Sequence, residues 1–170
     1  MNNPDFTKFV MQEKGRVFRD FTLHEEIEHH WGRTVTEAEA ILFSTSTCNW
    51  HPLYVNGEFA RAHGHPGVVV NPMLVLCTVV GLSVEDLSES GGPFLGVDDV
   101  RFGVPVHPGD TLSARSTVIA LRESASRPRM GIVTWETVGV NQRNAEVVRL
   151  RRTNLVRKDR APAETADDRR

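Results

Sequence analysis

Between Cys48 and Tyr54 the chain reads Cys-Asn-Trp-His-Pro-Leu-Tyr. His51 is the group in this run whose ordinary pKa, about 6.5, lets it take and return a proton near neutrality. Asn49, two residues earlier, offers an amide that can orient a water but cannot act as a base. Tyr54 carries a phenol with an ordinary pKa near 10, a hydrogen-bond donor or acid and a poor base at neutral pH. Three such groups in one short loop can hold a water beside a polarised substrate and move a proton. Trp50, between them, offers an apolar wall. Glu58, His63 and His65 are further ionisable groups just downstream. His63 and His65 form His-x-His, but no Cys or carboxylate stands at ligand spacing, so no metal site is expected.

These residues need elements to position them. Thr36 and Glu39 form a capping box that starts a helix ahead of the loop. Pro52 excludes helix at its own position and biases His51 toward extended backbone. A short helix over 57–62 follows, closed by Gly64. Residues 66–71 read as a loop or short strand. Asn71 then suits an N-cap and Pro72 the first helical position. The helix from Pro72 to about Val80, ending near Gly81, is apolar nearly all round, which predicts burial on every side. The second half alternates with period two and is rich in β-branched residues, the mark of strands. Strands are expected over 94–102, 110–121, 131–141 and 145–156, with a turn over 105–110 and a hairpin over 141–144. An earlier strand is expected over 27–34, with His29 and His30 as a strand pair with one ring exposed, and Val17 to Phe21 packing at an edge. Four long antiparallel strands wrapped around one buried helix make an α+β, single-domain, hot-dog architecture. Open sheet edges need cover, and a second copy supplies it, so a homodimer is expected.

The chain has 170 residues and a formal net charge of -2, the size of one domain. A near-neutral balance argues against a nucleic-acid or anionic-membrane partner. Mean hydropathy is -0.30, and no apolar run approaches the roughly 18 residues of a membrane span. Cys48 and Cys77 make no disulfide framework and read as reduced thiols, small buried apolar side chains. Residues 1–14 read as a polar extension without a secretory signal, so the expected compartment is the cytoplasm. Residues 159–170 carry no large apolar group and read as a disordered tail. The domain is expected over 15–158. In the run 149–152, Arg149 and Arg151 share a strand face and Arg152 takes the other.

The segment from Phe43 to Tyr54 resembles the signature of the MaoC-like, or R-specific, enoyl-CoA hydratases, which reads Gly-Asp-x-Asn-Pro-Leu-His. Cys48 stands at its Gly, Asn49 at its Asp, His51 at its Asn and Tyr54 at its His; Pro52 and Leu53 are kept. Residues 55–60 are similar to the segment that follows. Residues 70–74 are similar to the entry of the family's central helix, and 100–112 to its strand-turn-strand. Residues 126–133 and the 141–143 hairpin are like the branch acting on small branched dicarboxylyl-CoA esters, mesaconyl or itaconyl in type. The resemblance implies reversible addition of water across the 2,3 double bond of an acyl-CoA, or of an acyl-carrier-protein thioester. No metal or redox cofactor is implied; CoA is the substrate's carrier. The family's motif Asp and His serve as base and acid, and a backbone N–H at the start of the central helix holds the thioester oxygen. Here Asn71 or Met73 must supply that N–H, because Pro72 has none. At the acid–base positions this chain departs from the pattern, so three alternatives stand. His51 takes the base role, with Asn49 orienting water and Tyr54 donating; or the chain runs other thioester chemistry, a thioesterase or isomerase; or it is a non-catalytic acyl-CoA-binding subunit. Trp50 and Arg101 are expected at the acyl group and at an anionic group of the substrate.

Overall fold

The computed structural model describes residues 15–160. Its frame is one six-stranded antiparallel sheet. Strands β1 (Glu26–Glu28), β2 (Arg33–Thr34), β3 (Phe94–Phe102), β4 (Thr111–Glu123), β5 (Met130–Asn141) and β6 (Glu146–Arg157) run in the order β1-β4-β5-β6-β3, with β2 also on β4. The helices are α1 (Glu37–Ser46), α2 (Pro52–Val55), α3 (Gly57–Ala62), α4 (Pro72–Leu82) and α5 (Val84–Leu87). The α+β hot-dog layout follows: the sheet curves around α4, which packs on β4, β5 and β6.

Alternation decides which faces meet. Leu112 and Ala114 of β4 and Val148 and Leu150 of β6 point inward to Leu74, Val75 and Val79 of α4. Val79 reaches the sheet at Gly139, where a Cβ would lie 2.4 Å from its Cγ2. A second cluster gathers Phe21, Leu87, Val118, Val133, Trp135 and Val156, with Phe21 edge-on to Trp135 at 5.4 Å between centroids.

Four expectations are corrected. First, α4 is not buried on every side: Leu74, Val75, Thr78, Val79 and Leu82 are covered, while Met73, Cys77 and Gly81 face outward. A single sheet can cover only one side of a helix. Second, the strand over 27–34 is two short pieces. They are separated at His29–Gly32, where His29 is drawn inward and His30 stays exposed. Third, Pro52 opens α2 as its first residue, where the missing N–H costs nothing. Fourth, both cysteines are free, as expected, but exposed rather than buried. The Val17–Phe21 segment packs as foreseen, through a 3-10 turn at Phe18–Asp20 with Val17 and Phe21 buried. The proposed extension over 1–14 lies outside the described residues. Of the expected tail over 159–170, Asp159 and Arg160 are described and pair with Arg19 and Asp20, and residues 161–170 lie outside the described residues.

No helix among the described residues is long and apolar enough to cross a membrane. Arg149 pairs with Glu136 and Glu146, and Arg151 with Asp99. Arg152, on the opposite face, is buried over the Trp135 ring, with long contacts to the Val80 carbonyl and the Ser88 hydroxyl. Burial pushes its pKa down to about 10.

Candidate active site

Helix α1 starts as its capping box requires, with the Thr36 hydroxyl accepting from the Glu39 N–H and the Glu39 carboxylate accepting from the Thr36 N–H. After Thr47 the chain reverses through Cys48, whose φ of 57° is left-handed. That conformation suits Gly and strains a side chain that carries Cβ. The reversal lets the Asn49 N–H donate back to the Ser44 carbonyl at 2.8 Å.

His51 caps α2. Its Nδ1 accepts the Leu53 N–H at 3.3 Å, and its ring lies 5.4 Å from that of Tyr54, tilted by 46°. The cap has a chemical consequence. With the Nδ1 lone pair engaged, a neutral His51 carries its proton on Nε2 and presents a donor to solvent. The Asn49 side-chain oxygen faces the His51 N–H at 3.5 Å.

Two links seat this loop against the start of α4. The Leu53 carbonyl accepts the Val69 N–H at 2.8 Å. Fully buried Ser44, whose carbonyl already holds Asn49, faces the Asn71 side-chain amide with its hydroxyl at 3.5 Å. Asn71 is buried and caps α4, its Oδ1 accepting the Met73 N–H at 3.0 Å. Of the two expected oxyanion donors, Met73 is therefore engaged by the cap. The Asn71 N–H makes no hydrogen bond with any described residue. The positive end of the α4 dipole adds to its pull on an anionic oxygen.

Beside Asn71 lies an apolar cavity of about 140 Å³. Val69, Val70, Pro72 and Val75 line it on one side and the segment from Phe102 to Val106 on the other. The Val70 N–H donates to the Val106 carbonyl at 2.9 Å and closes one end of this wall.

The structure thus brings Asn49, His51, Tyr54 and Asn71 into one region. It does not bring Trp50 or Arg101 into the cavity. Trp50 is 65% exposed, and Arg101 is exposed on β3, opposite Arg149. His63 and His65 are not a chelating pair. His63 stacks on Phe59 and bonds its carbonyl, while His65 Nδ1 lies 3.2 Å from His107 Nε2. Among the described residues there is no group of three or more His, Cys, Asp or Glu placed to hold a metal ion. The role of Ser44 is invisible in sequence, since a Ser inside a helix gives no sign of what it meets.

Glu58 is held below the usual carboxylate range by Arg61. His107 is pushed down by burial first and by the neighbouring His65 second. Asp110 is disfavoured as an anion by burial, yet the His107 N–H and the Gln142 amide outweigh this and hold its pKa low.

Residues 6–169 match the mesaconyl-CoA hydratase family. The mesaconyl-CoA hydratase of Haloarcula hispanica is 41% identical over 155 residues, covering 91% of this chain and 43% of that protein. A solved Chloroflexus aurantiacus structure, described as a MaoC-domain protein dehydratase, superimposes with a TM-score of 0.79 at 35% identity, over 89% of this chain and 44% of that one. A Mycobacterium tuberculosis protein described as a double hot-dog fold superimposes at 0.76 with 22% identity, over 89% of this chain and 46% of that one, a likeness of fold alone. The chain spans about half the length of the mesaconyl-CoA hydratases it matches. With the motif loop seated on the start of a central helix, and with these matches over nearly its whole length, the chain belongs to the MaoC-like mesaconyl-CoA hydratase family.

Proposed function

We propose that this chain takes part in the reversible hydration of a short, branched, dicarboxylyl 2-enoyl-CoA of the mesaconyl or itaconyl type, and equally in dehydration of the matching 3-hydroxyacyl-CoA. The observation that carries this reading is the family match across residues 6–169. In the forward direction water adds its hydroxyl to C3, and a proton goes to C2 as the double bond is lost. Negative charge gathers on the thioester oxygen on the way. The Asn71 N–H, unbonded among the described residues and at the positive end of α4, is our candidate to hold that oxygen. Asn49 orients the water, and Tyr54 and the Nε2–H of His51 donate to it or to the substrate. Trp50 and Arg101 are candidates for contacts to the acyl group and to its carboxylate or the CoA phosphates, where a second protomer covers them. No metal or redox cofactor enters this scheme.

A second reading concerns the base. Asn49 has no basic atom, and the α2 cap commits the His51 Nδ1 lone pair. These observations favour a chain that binds and polarises the thioester while a second hot-dog unit brings the base. We place that unit across the β3 edge, where Phe94, Leu95 and Phe102 are exposed. A second copy can cover this edge as a homodimer but repeats Asn49, so the base-bearing unit is a hot-dog partner with an intact acid–base pair, with the cytoplasm as the compartment.

The test follows the enoyl-thioester absorbance of mesaconyl-CoA and crotonyl-CoA with the purified protein and with His51→Ala, beside light scattering for the mass in solution. Loss of absorbance with the wild type alone supports hydration that needs the His51 donor. Loss with both proteins makes His51 dispensable and assigns the proton transfer elsewhere. Tight acyl-CoA binding without turnover supports the binding-subunit reading, and neither binding nor turnover overturns both.

A further inference from the structure

The segment that carries Asn71 is held to the turn before β4 at two places. One is the backbone bond from Val70 to Val106. The other is the contact between His65, just after α3, and His107, next in chain to Val106, with Nδ1 and Nε2 at 3.2 Å and ring centroids 5.4 Å apart. Both rings are half-buried. A contact between two ring nitrogens needs one N–H and one lone pair. It therefore holds when the pair is neutral and when one ring is ionised, and fails when both are imidazolium and two N–H groups face each other.

We infer that the His65–His107 pair is a proton-sensitive latch that positions the Asn71 loop, closed until the second ring is protonated and open beyond that point. Its bearing on turnover rests on the proposed oxyanion role of Asn71; its bearing on loop order does not. The charges that face His107 are those of His65, Asp110 and Arg143. Asp110 accepts the His107 backbone N–H and is itself faced by Arg143 at 3.6 Å, so its negative charge is largely engaged. On α3, Glu58 and Arg61 pair with each other. Burial and the positive charge of His65 both depress His107. The second proton therefore goes on below the ordinary imidazole range.

Amide hydrogen exchange reads the latch directly. The reporters are Val69 and Val70, whose N–H groups bond the Leu53 and Val106 carbonyls, after correction for intrinsic exchange and reference to the β5–β6 hairpin. In the wild type their protection should fall at least about tenfold between pH 7.5 and pH 5. His65→Gln keeps a hydrogen-bonding partner for His107 but cannot become a second cation, so this fall should shrink to within about twofold. His65→Ala should lower protection at pH 7.5 as well. An acid fall of wild-type size in His65→Gln, or wild-type protection at pH 7.5 in His65→Ala, overturns the latch. Hydration rates on the same samples separate the two claims. A kcat that falls with the exchange step, with KM little changed, supports positioning. A flat exchange profile beside normal hydration removes the latch and leaves the proposed function standing. An exchange step with neither hydration nor acyl-CoA binding keeps the latch and removes the function.

Discussion

His29 is the place where acid should destabilise this fold most legibly. Its side chain has no solvent exposure, its Nδ1 lies 2.7 Å from Asp86 Oδ2, and its Nε2 lies 2.8 Å from Ser116 Oγ, itself 2.8 Å from Thr137 Oγ1. The chain of bonds is satisfied by a neutral ring that donates from Nδ1 to the carboxylate and accepts the Ser116 hydroxyl at Nε2. Burial pushes the His29 pKa down and outweighs the opposing pull of Asp86. Between the folded pKa and the unfolded value of about 6.5, the unfolded chain binds a proton that the folded chain does not. Stability is therefore fully present above that unfolded value, is lost as pH falls through it, and levels off only below the folded pKa. The limiting slope is about 1.36 kcal/mol per pH unit. For one group at 6.5 this amounts to a loss of at most about 1.4 kcal/mol at pH 5.5 and about 2 kcal/mol at pH 5.0. His29→Gln removes the titration while weakening the bonds, at a cost of about 1–3 kcal/mol at pH 7.5. Urea unfolding of both proteins from pH 7.5 to 5.0 should then show the wild-type advantage shrinking as pH falls. Two parallel curves would refute the assignment of His29 as a buried neutral ring.

Three further substitutions test how the site is held. Gly139→Ala should cost about 1–3 kcal/mol in the urea midpoint, because its Cβ would meet Val79 Cγ2 at 2.4 Å and force α4 off the sheet; no loss would mean that α4 is not seated as described. Cys48→Gly should raise stability by up to about 1 kcal/mol by relieving the left-handed backbone, part of the gain being returned as entropy; a loss in thermal melting would count against the strain. Arg152→Met should be neutral or stabilising by about 1–4 kcal/mol, since the guanidinium is buried with Nε unpartnered and only long contacts elsewhere. A loss of several kcal/mol on chemical denaturation would show that it has a partner of real strength.

Local chemistry and periodicity made much of this chain readable as a sequence. The Thr36–Glu39 box, the Asn71–Pro72 start of α4 and the alternation of β4 to β6 are decided by residues within a few positions of one another, so they could be read without knowing what packs where. The motif from Cys48 to Tyr54 was legible for the same reason, including the loss of a carboxylate at Asn49. Tertiary contacts decided the rest. An apolar α4 says only that its surface avoids water; the single sheet determines that Met73 and Cys77 are the side left open. The cap from Leu53 to His51 selects the tautomer, and the Asn71 side chain takes the Met73 N–H, while the Asn71 N–H makes no hydrogen bond among the described residues. Ser44 meeting Asn71, His65 meeting His107 and His29 meeting Asp86 join residues 27, 42 and 57 positions apart. No local pattern records such pairs, because only the closing of the sheet around α4 brings them together.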